Sequence, residues 1–337
     1  MLWYEKKLTT PAISTRIRLA RNIEGIPFPS ALSSEKMQET NKMICESIKR
    51  CNFDGLKLRE INMTNLGDIE SYAMVERHCI SPNFARNRDG RILLLSEDES
   101  VSVMIGEEDH LRIQVLGAGE CLTEAYSLCD KIETEISRVL KFSFDEKLGY
   151  LTECPTNLGT GLRASIMLHL PVLESTRQLN SIADAVSKIG LTFRGFYGEG
   201  SDSKASFYQL SNQITLGVSE QSAVENLKNI ANQIIAKENE ALLLLDRFNL
   251  TDTACRSFGI LKYARKLSTE EMMKHMTRLM LSERAGIILL PDSVKLMSVF
   301  IGAQPSMIRR IKGDVSPTER DKFRADLLRE TFKNIDV

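Results

Sequence analysis

Three short apolar runs, residues 91–96, 101–106 and 111–117, follow one another with only polar turns between them. Runs of this length read as strands, and turns this short join antiparallel neighbours. An antiparallel meander in the middle of the chain therefore sets its architecture. Residues 163–170 alternate Arg, Ser, Met and His against Ala, Ile, Leu and Leu. Residues 207–216 follow a Gly198-Glu199-Gly200 turn, and both stretches add strands. Helical spacing appears at residues 41–50 and 120–140.

From about Ser222 onward the pattern is helical. Val224, Leu227, Ile230 and Ile234 share one face, and Met272, Met273, Met276, Leu279 and Met280 share another. The methionine stripe reads as core packing. Ser316-Pro317-Thr318-Glu319 announces the last helix, with a capping serine, a proline in the first turn and a glutamate three residues after the cap. The expectation is an α+β fold. An antiparallel-sheet domain flanked by helices fills residues 1–245, and a smaller all-helical domain fills residues 246–337.

The net charge is −1, which gives no footprint for nucleic acid or a membrane surface. No apolar run approaches the ~20 residues that span a bilayer, and the first ten residues are polar and charged. Seven cysteines with no CxxC pair, and only four histidines, point to free thiols and to no protein-held metal. The chain reads as cytoplasmic.

Arginines recur in strand contexts. Arg16 and Arg18 lie on the same face of the extended segment Ser14-Thr15-Arg16-Ile17-Arg18-Leu19-Ala20. Arg112 opens the strand after Glu107-Glu108-Asp109, Arg163 follows Gly159 and Gly161, and Arg194 precedes Gly195-Phe196-Tyr197-Gly198-Glu199. No GxxxxGK[ST] loop and no GxGxxG after a strand is present, so a bound nucleotide must be held by side chains. Guanidinium forks suit that task, because they are planar, permanently charged and bidentate. Taken singly, each arginine reads equally well as an exposed strand position paired with a carboxylate. The acidic cluster at 107–109 reads as a solvated turn on spacing alone, and Cys154, before Pro155, as ordinary packing. Combined, arginines, two carboxylates and a loop cysteine suit phosphoryl transfer to a guanidinium. Carboxylates would orient the acceptor and take its proton, and cations would neutralise the phosphoryl group. The residues alone do not select this reaction over other phosphotransfers.

Three motifs, in order, carry a resemblance. Ser14-Thr15-Arg16-Ile17-Arg18-Leu19-Ala20-Arg21-Asn22, Glu107-Glu108-Asp109-His110-Leu111-Arg112 and Cys154-Pro155-Thr156-Asn157-Leu158-Gly159-Thr160-Gly161-Leu162-Arg163 resemble the ATP:guanidino phosphotransferase family, which includes creatine and arginine kinases. The stretches at 76–82, 163–171, 197–200 and 208–213 are similar to its protein-arginine kinase branch. Arg320-Asp321-Lys322-Phe323-Arg324-Ala325 resembles that branch's RDxxRA motif.

The resemblance implies a guanidino kinase catalytic domain, with ATP held by Ser14, Thr15, Arg16, Ile17, Arg18, His78, Arg112, Arg163, Ala164, Ser165, Ile166, Met167, Arg194, Gly195, Phe196, Tyr197 and Gly198. It implies Glu108 as base, Glu199 as the second carboxylate, Cys154 as a thiolate beside the acceptor nitrogen, and Mg2+ carried on the ATP phosphates. Arg320, Asp321, Arg324 and Ala325 would form an allosteric phosphoarginine pocket. Without the resemblance, that set reads as an exposed ion-pair face. Few residues precede Ser14, so the helical N-terminal domain that encloses free creatine or arginine is expected to be absent and the acceptor to be a protein. An activator protein, a Clp protease chaperone and a second copy of the chain are the implied partners, in a bacterial stress response. A kinase of a free guanidino compound and a non-catalytic phosphoarginine-binding adaptor are the alternatives. Gly106 stands where the family usually carries asparagine, an expected loosening of the acidic loop.

Overall fold

The structure is a computed structural model that describes residues 1–196 and 205–336. Its strands are β1 (Ala12–Arg21), β2 (Leu58–Asn62), β3 (Ile92–Ser96), β4 (Val101–Ile105), β5 (Leu111–Ala118), β6 (Phe144–Asp145), β7 (Gly149–Tyr150), β8 (Leu162–His169), β9 (Leu191–Gly195) and β10 (Phe207–Asn212). Eight of them form one sheet in the order β2-β3-β4-β5-β1-β8-β10-β9, and every pairing in it is antiparallel. The expected meander is β3-β4-β5. β1 comes from the start of the chain and inserts between β5 and β8, which places its arginines at the centre.

Alternation along β1 sorts its side chains by face. Ile17 and Leu19 point into a large core with Ile113, Val115, Ala164, Ile166 and Leu210. The helices on that side are α1 (Ser34–Ile48), α4 (Leu122–Ser137), α5 (Pro171–Ser175), α6 (Leu179–Ser187) and α7 (Glu220–Leu243). Arg21, at the end of β1, is buried and ties this layer together. It pairs with Glu133 of α4 and Glu220 of α7, each at 2.9 Å, and lies 3.5 Å over the Tyr150 ring.

The opposite face is covered only at its margins. Helices α2 (Asp68–Glu76) and α3 (Pro82–Arg86) build a small core on Leu93, Leu95 and Met104. The remaining helices are α8 (Arg247–Tyr263), α9 (Thr269–Arg284), α10 (Leu296–Gly302), α11 (Pro305–Lys312) and α12 (Pro317–Phe332). They close over Ile13, Leu116, Met167 and Phe207, and the methionine stripe of α9 lies in that core. Ser33, Ser219, Asp246, Ser268 and Ser316 each accept an amide in the first turn of their helix, and Ser316 with Glu319 forms the expected capping box. Glu238 of α7 is fully buried and accepts from the Val172 and Leu173 amides and from Arg284 of α9, joining the two helical layers. No helix among the described residues is long and apolar enough to cross a membrane.

Candidate active site

Between the two margins the sheet presents a cleft of about 610 Å³ lined by Arg18, Ala20, Glu108, Arg112, Cys154, Thr156, Asn157, Gly161 and Arg163. Pairing register explains the gathering. Arg18 stands opposite Arg163 on β8, and Ala20 stands opposite Arg112 on β5. An adjoining cleft of about 230 Å³ holds Ser14, Arg16, His78, Leu116, Ser165, Met167, Phe196 and Gln209. Arg16 donates to Gln209 Oε1 at 3.0 Å. Arg194 lies opposite Gln209 on β9 and adds its charge to the field at Arg163.

This field is strongly cationic. Burial, with Arg112 nearby, brings Arg16 down to about 10. Burial and the neighbouring Arg16, Arg112 and Arg163 hold Arg18 well below its ordinary value. Arg18 Nε is buried and finds no acceptor. Burial and Arg194 likewise lower Arg163. Guanidinium groups crowded together without enough carboxylates are arranged for a polyanion.

The carboxylates sit at the edge of the cleft in the turn between β4 and β5. Gly106 takes φ 79°, and a Cβ there would lie 2.2 Å from Asn41 Nδ2, so glycine lets the turn press against α1. The turn is held: the Gly106 amide donates to His110 O at 3.0 Å. Asn22, just past β1, accepts the His110 amide and donates to Asp109. Glu107 is buried and spoken for. Burial would raise it, but Arg112 at 2.7 Å, the Ser81 hydroxyl and the Glu108 amide hold it below the usual carboxylate range. Glu108 is the more exposed of the two and meets Arg112 at 3.3 Å, a loose contact that leaves it able to face a second guanidinium. Across the cleft, half-exposed Cys154 shares a 3.1 Å hydrogen bond with Thr156.

His78 lies in the smaller cleft at φ 66°, a left-handed conformation that costs a histidine on the order of 1 kcal/mol. Trp3 stacks on it at 5.0 Å and Phe196 meets it edge-on at 5.2 Å. Burial, with Arg16 nearby, lowers its pKa to about 3, so the ring is neutral.

The structure thus brings together Ser14, Arg16, Arg18, His78, Arg112, Arg163, Ser165, Met167, Phe196, Glu108 and Cys154. The side chains of Thr15, Ile17, Ala164 and Ile166 lie on the other face: Thr15 bonds Gly119 O, and the other three are core. Gly195 ends β9. Tyr197, Gly198 and Glu199 lie outside the described residues. On α12, Arg324 turns inward to donate to Ala303 O, Leu267 O and Asp321, and Ala325 is core, while Asp321 stays a quarter exposed and Arg320 lies beside it. Gln209, Asn22, Asn157 and Ser81 lie inside the stretches that carry the resemblance, but the sequence assigns them no individual role. Their roles depend on strand order, which no local pattern encodes.

A sheet face of arginines, without a glycine loop, bordered by a carboxylate and a cysteine, defines a class of proteins that hold a polyanion on side chains. The model of the ATP:guanido phosphotransferase C-terminal catalytic domain matches residues 39–241, and that of the protein-arginine kinase McsB C-terminal domain matches residues 247–337. Proteins named protein-arginine kinase are similar throughout. That of Bacillus subtilis is 42% identical over 94% of this chain and 89% of its own length, and that of Halothermothrix orenii is 40% identical over 94% and 91%. Among solved structures, the duplicated taurocyamine kinase of Schistosoma mansoni superposes with a TM-score of 0.61 at 28% identity. It covers 77% of this chain, which spans 38% of that duplicated chain. Lombricine kinase, at 22% identity and a TM-score of 0.59 over 70% of each chain, shares the fold. The chain belongs to the ATP:guanido phosphotransferase family, in its protein-arginine kinase branch.

Proposed function

We propose that this protein transfers the terminal phosphoryl group of ATP to arginine side chains of proteins. The observation that carries the reading is the meeting of Arg18, Arg112 and Arg163 with Glu108 and Cys154 in one cleft. The triphosphate lies along Arg16, Arg18, Arg112, Arg163 and Arg194, with His78 and Phe196 beside the nucleotide. The acceptor guanidinium enters at Glu108. As a guanidinium it is a poor nucleophile, so Glu108 takes one of its protons. An N–P bond forms, the bond from the γ phosphorus to the bridging oxygen breaks, and ADP leaves with the charge held by the arginines. Cys154 lies beside the acceptor nitrogen, and Glu199 is proposed as the second orienting carboxylate.

Mg2+ is proposed to enter on the ATP phosphates, where it would neutralise the β and γ oxygens.

The same reading divides the chain into a catalytic part to residue 245 and a helical part from 246. In the latter, Arg320, Asp321, Arg324 and Ala325 would form a phosphoarginine pocket with allosteric effect. It places the enzyme in the cytoplasm of a bacterium under stress, with an activator protein, marking substrates for a Clp protease. A second copy is expected to dock on the helical part. Phe248, at the start of the helical part, is 79% exposed, beside Leu243 and Leu244 at the end of the catalytic part at 84% and 87%, apolar surface that a partner copy would cover.

The test is ADP release with either free arginine or an arginine-rich protein as acceptor. Release with the protein and not with free arginine is expected. Release with free arginine alone would favour the second reading, a kinase of a free guanidino compound like the taurocyamine kinase whose fold it shares. No release with either acceptor would leave the adaptor reading.

A further inference from the structure

Helix α2 ends in a left-handed turn whose apex is His78. The His78 amide donates to Val75 O and the Cys79 amide to Met74 O, each at 2.9 Å. This pair of bonds closes a helix where glycine ordinarily takes the left-handed position. A histidine stays there only when its surroundings fix it. On one side Trp3 stacks on the ring and donates Nε1 to Arg77 O at 2.9 Å, and Gln114 donates to His78 O at 3.0 Å.

On the other side stands the C-terminal helical region. Glu76, the last residue of α2, accepts the amides of Ser306 and Met307 in the first turn of α11, at 2.9 and 2.8 Å. Those amides have no partner within their own helix, and a carboxylate there is favoured by the helix dipole as well. Arg310 of α11 pairs with Glu70 of α2 at 2.6 Å, and Arg77 reaches Met307 Sδ at 3.5 Å. Arg324 of α12 holds Ala303 O at 2.8 Å, just before α11 begins.

We propose that α11 is part of the nucleotide-binding machinery: by receiving Glu76 on its first-turn amides, it holds the turn that presents His78 to the cleft. Glu76 is then a positioning residue for ATP. This rests on the reading that the cleft of Arg16 and His78 takes the nucleotide. The Glu108 turn is fixed mainly from β1, by Asn22, and meets the α2–α3 connection through the Ser81 hydroxyl on Glu107. Releasing Glu76 therefore weakens ATP binding and leaves the chemical step in place.

The experiment compares the full-length protein with Glu76→Gln, which keeps one acceptor oxygen, and Glu76→Ala, which keeps none. KM for ATP and kcat are measured with one protein acceptor, and ADP affinity by calorimetry. Trp3, the chain's single tryptophan, reports on the turn by its emission. Glu76→Ala is expected to raise KM for ATP and the ADP dissociation constant about fivefold or more. With it, kcat stays within about twofold, Trp3 emission shifts, and Glu76→Gln falls between. Should Glu76→Ala fail to fold, Glu76→Gln carries the test. An unchanged KM for ATP in every folded variant, or a loss confined to kcat, overturns the role of Glu76. Equal ADP affinity in the wild type and both variants overturns it too and spares the cleft reading. A wild-type chain that does not bind ADP overturns the cleft reading itself.

Discussion

Glu107 and Glu108 are neighbours with opposite environments, and that difference favours Glu108 as the proposed base. Glu107 is locked between Arg112, Ser81 and a backbone amide, while among the described residues Glu108 has the 3.3 Å contact to Arg112. Glu108→Gln, which preserves shape and removes the base, is expected to lower kcat by about 10²–10⁴-fold with little change in KM for ATP. Steady-state kinetics check this, and an unchanged kcat removes Glu108 from the mechanism. The crowded arginines make a second prediction. Their mutual repulsion is relieved when a polyanion arrives, so ATP raises the melting temperature and adenosine does not. At about a hundredfold over its dissociation constant the expected stabilisation is about 2.7 kcal/mol. Alternation in the sequence pointed to Arg16 and Arg18 as sharing a face. It could not point to Gln209 as the partner of Arg16, because their contact spans 193 positions and exists only through strand order.

Elements were legible where a local pattern decides them. The meander expected at 91–96, 101–106 and 111–117 is found at Ile92–Ser96, Val101–Ile105 and Leu111–Ala118. Two differences have local causes. The first helix starts at Ser34 rather than 41, because Ser33 caps it and its first turns are polar and exposed, hiding the periodicity. The strand expected to reach 216 stops at Asn212, whose side chain turns back to bond Leu162 O and the Ala164 amide. Ile214 and Leu216 beyond it are half-exposed. The capping box of α12 is legible in four residues, Ser316 to Glu319. Ser316→Ala should cost about 1 kcal/mol, seen as a lower melting temperature. No change would mean that core packing of Leu328 and Phe332 alone sets where α12 starts.

At the scale of the whole molecule, the C-terminal helices pack onto the same sheet face that bears the site, an arrangement no periodicity reveals. Burial across this assembly also sets a pH response. All four histidines are shifted down, His78 to about 3 and His169 well below the ordinary 6.5, by burial first and then by Arg16 and Arg284 respectively. As pH falls below about 6.5 the unfolded chain takes up these protons and the folded one does not. Stability is therefore complete above that pH and lost below it, by about 1.4 kcal/mol per pH unit for each fully buried histidine. Glu76, Asp109, Glu220 and Glu238, raised by burial, oppose the loss at lower pH. Melting temperatures should fall between pH 6.5 and 5.5, and a flat profile would contradict the buried neutral state of His78 and His169.

Whether the acceptor is an arginine in a protein is decided by mass spectrometry under conditions that preserve acid-labile phosphate. After incubation with ATP and an arginine-rich protein, phosphate is expected on arginine side chains of that protein, and to be absent when Glu108→Ala replaces the wild-type chain. Phosphate on hydroxyl side chains, or on free arginine alone, would contradict it.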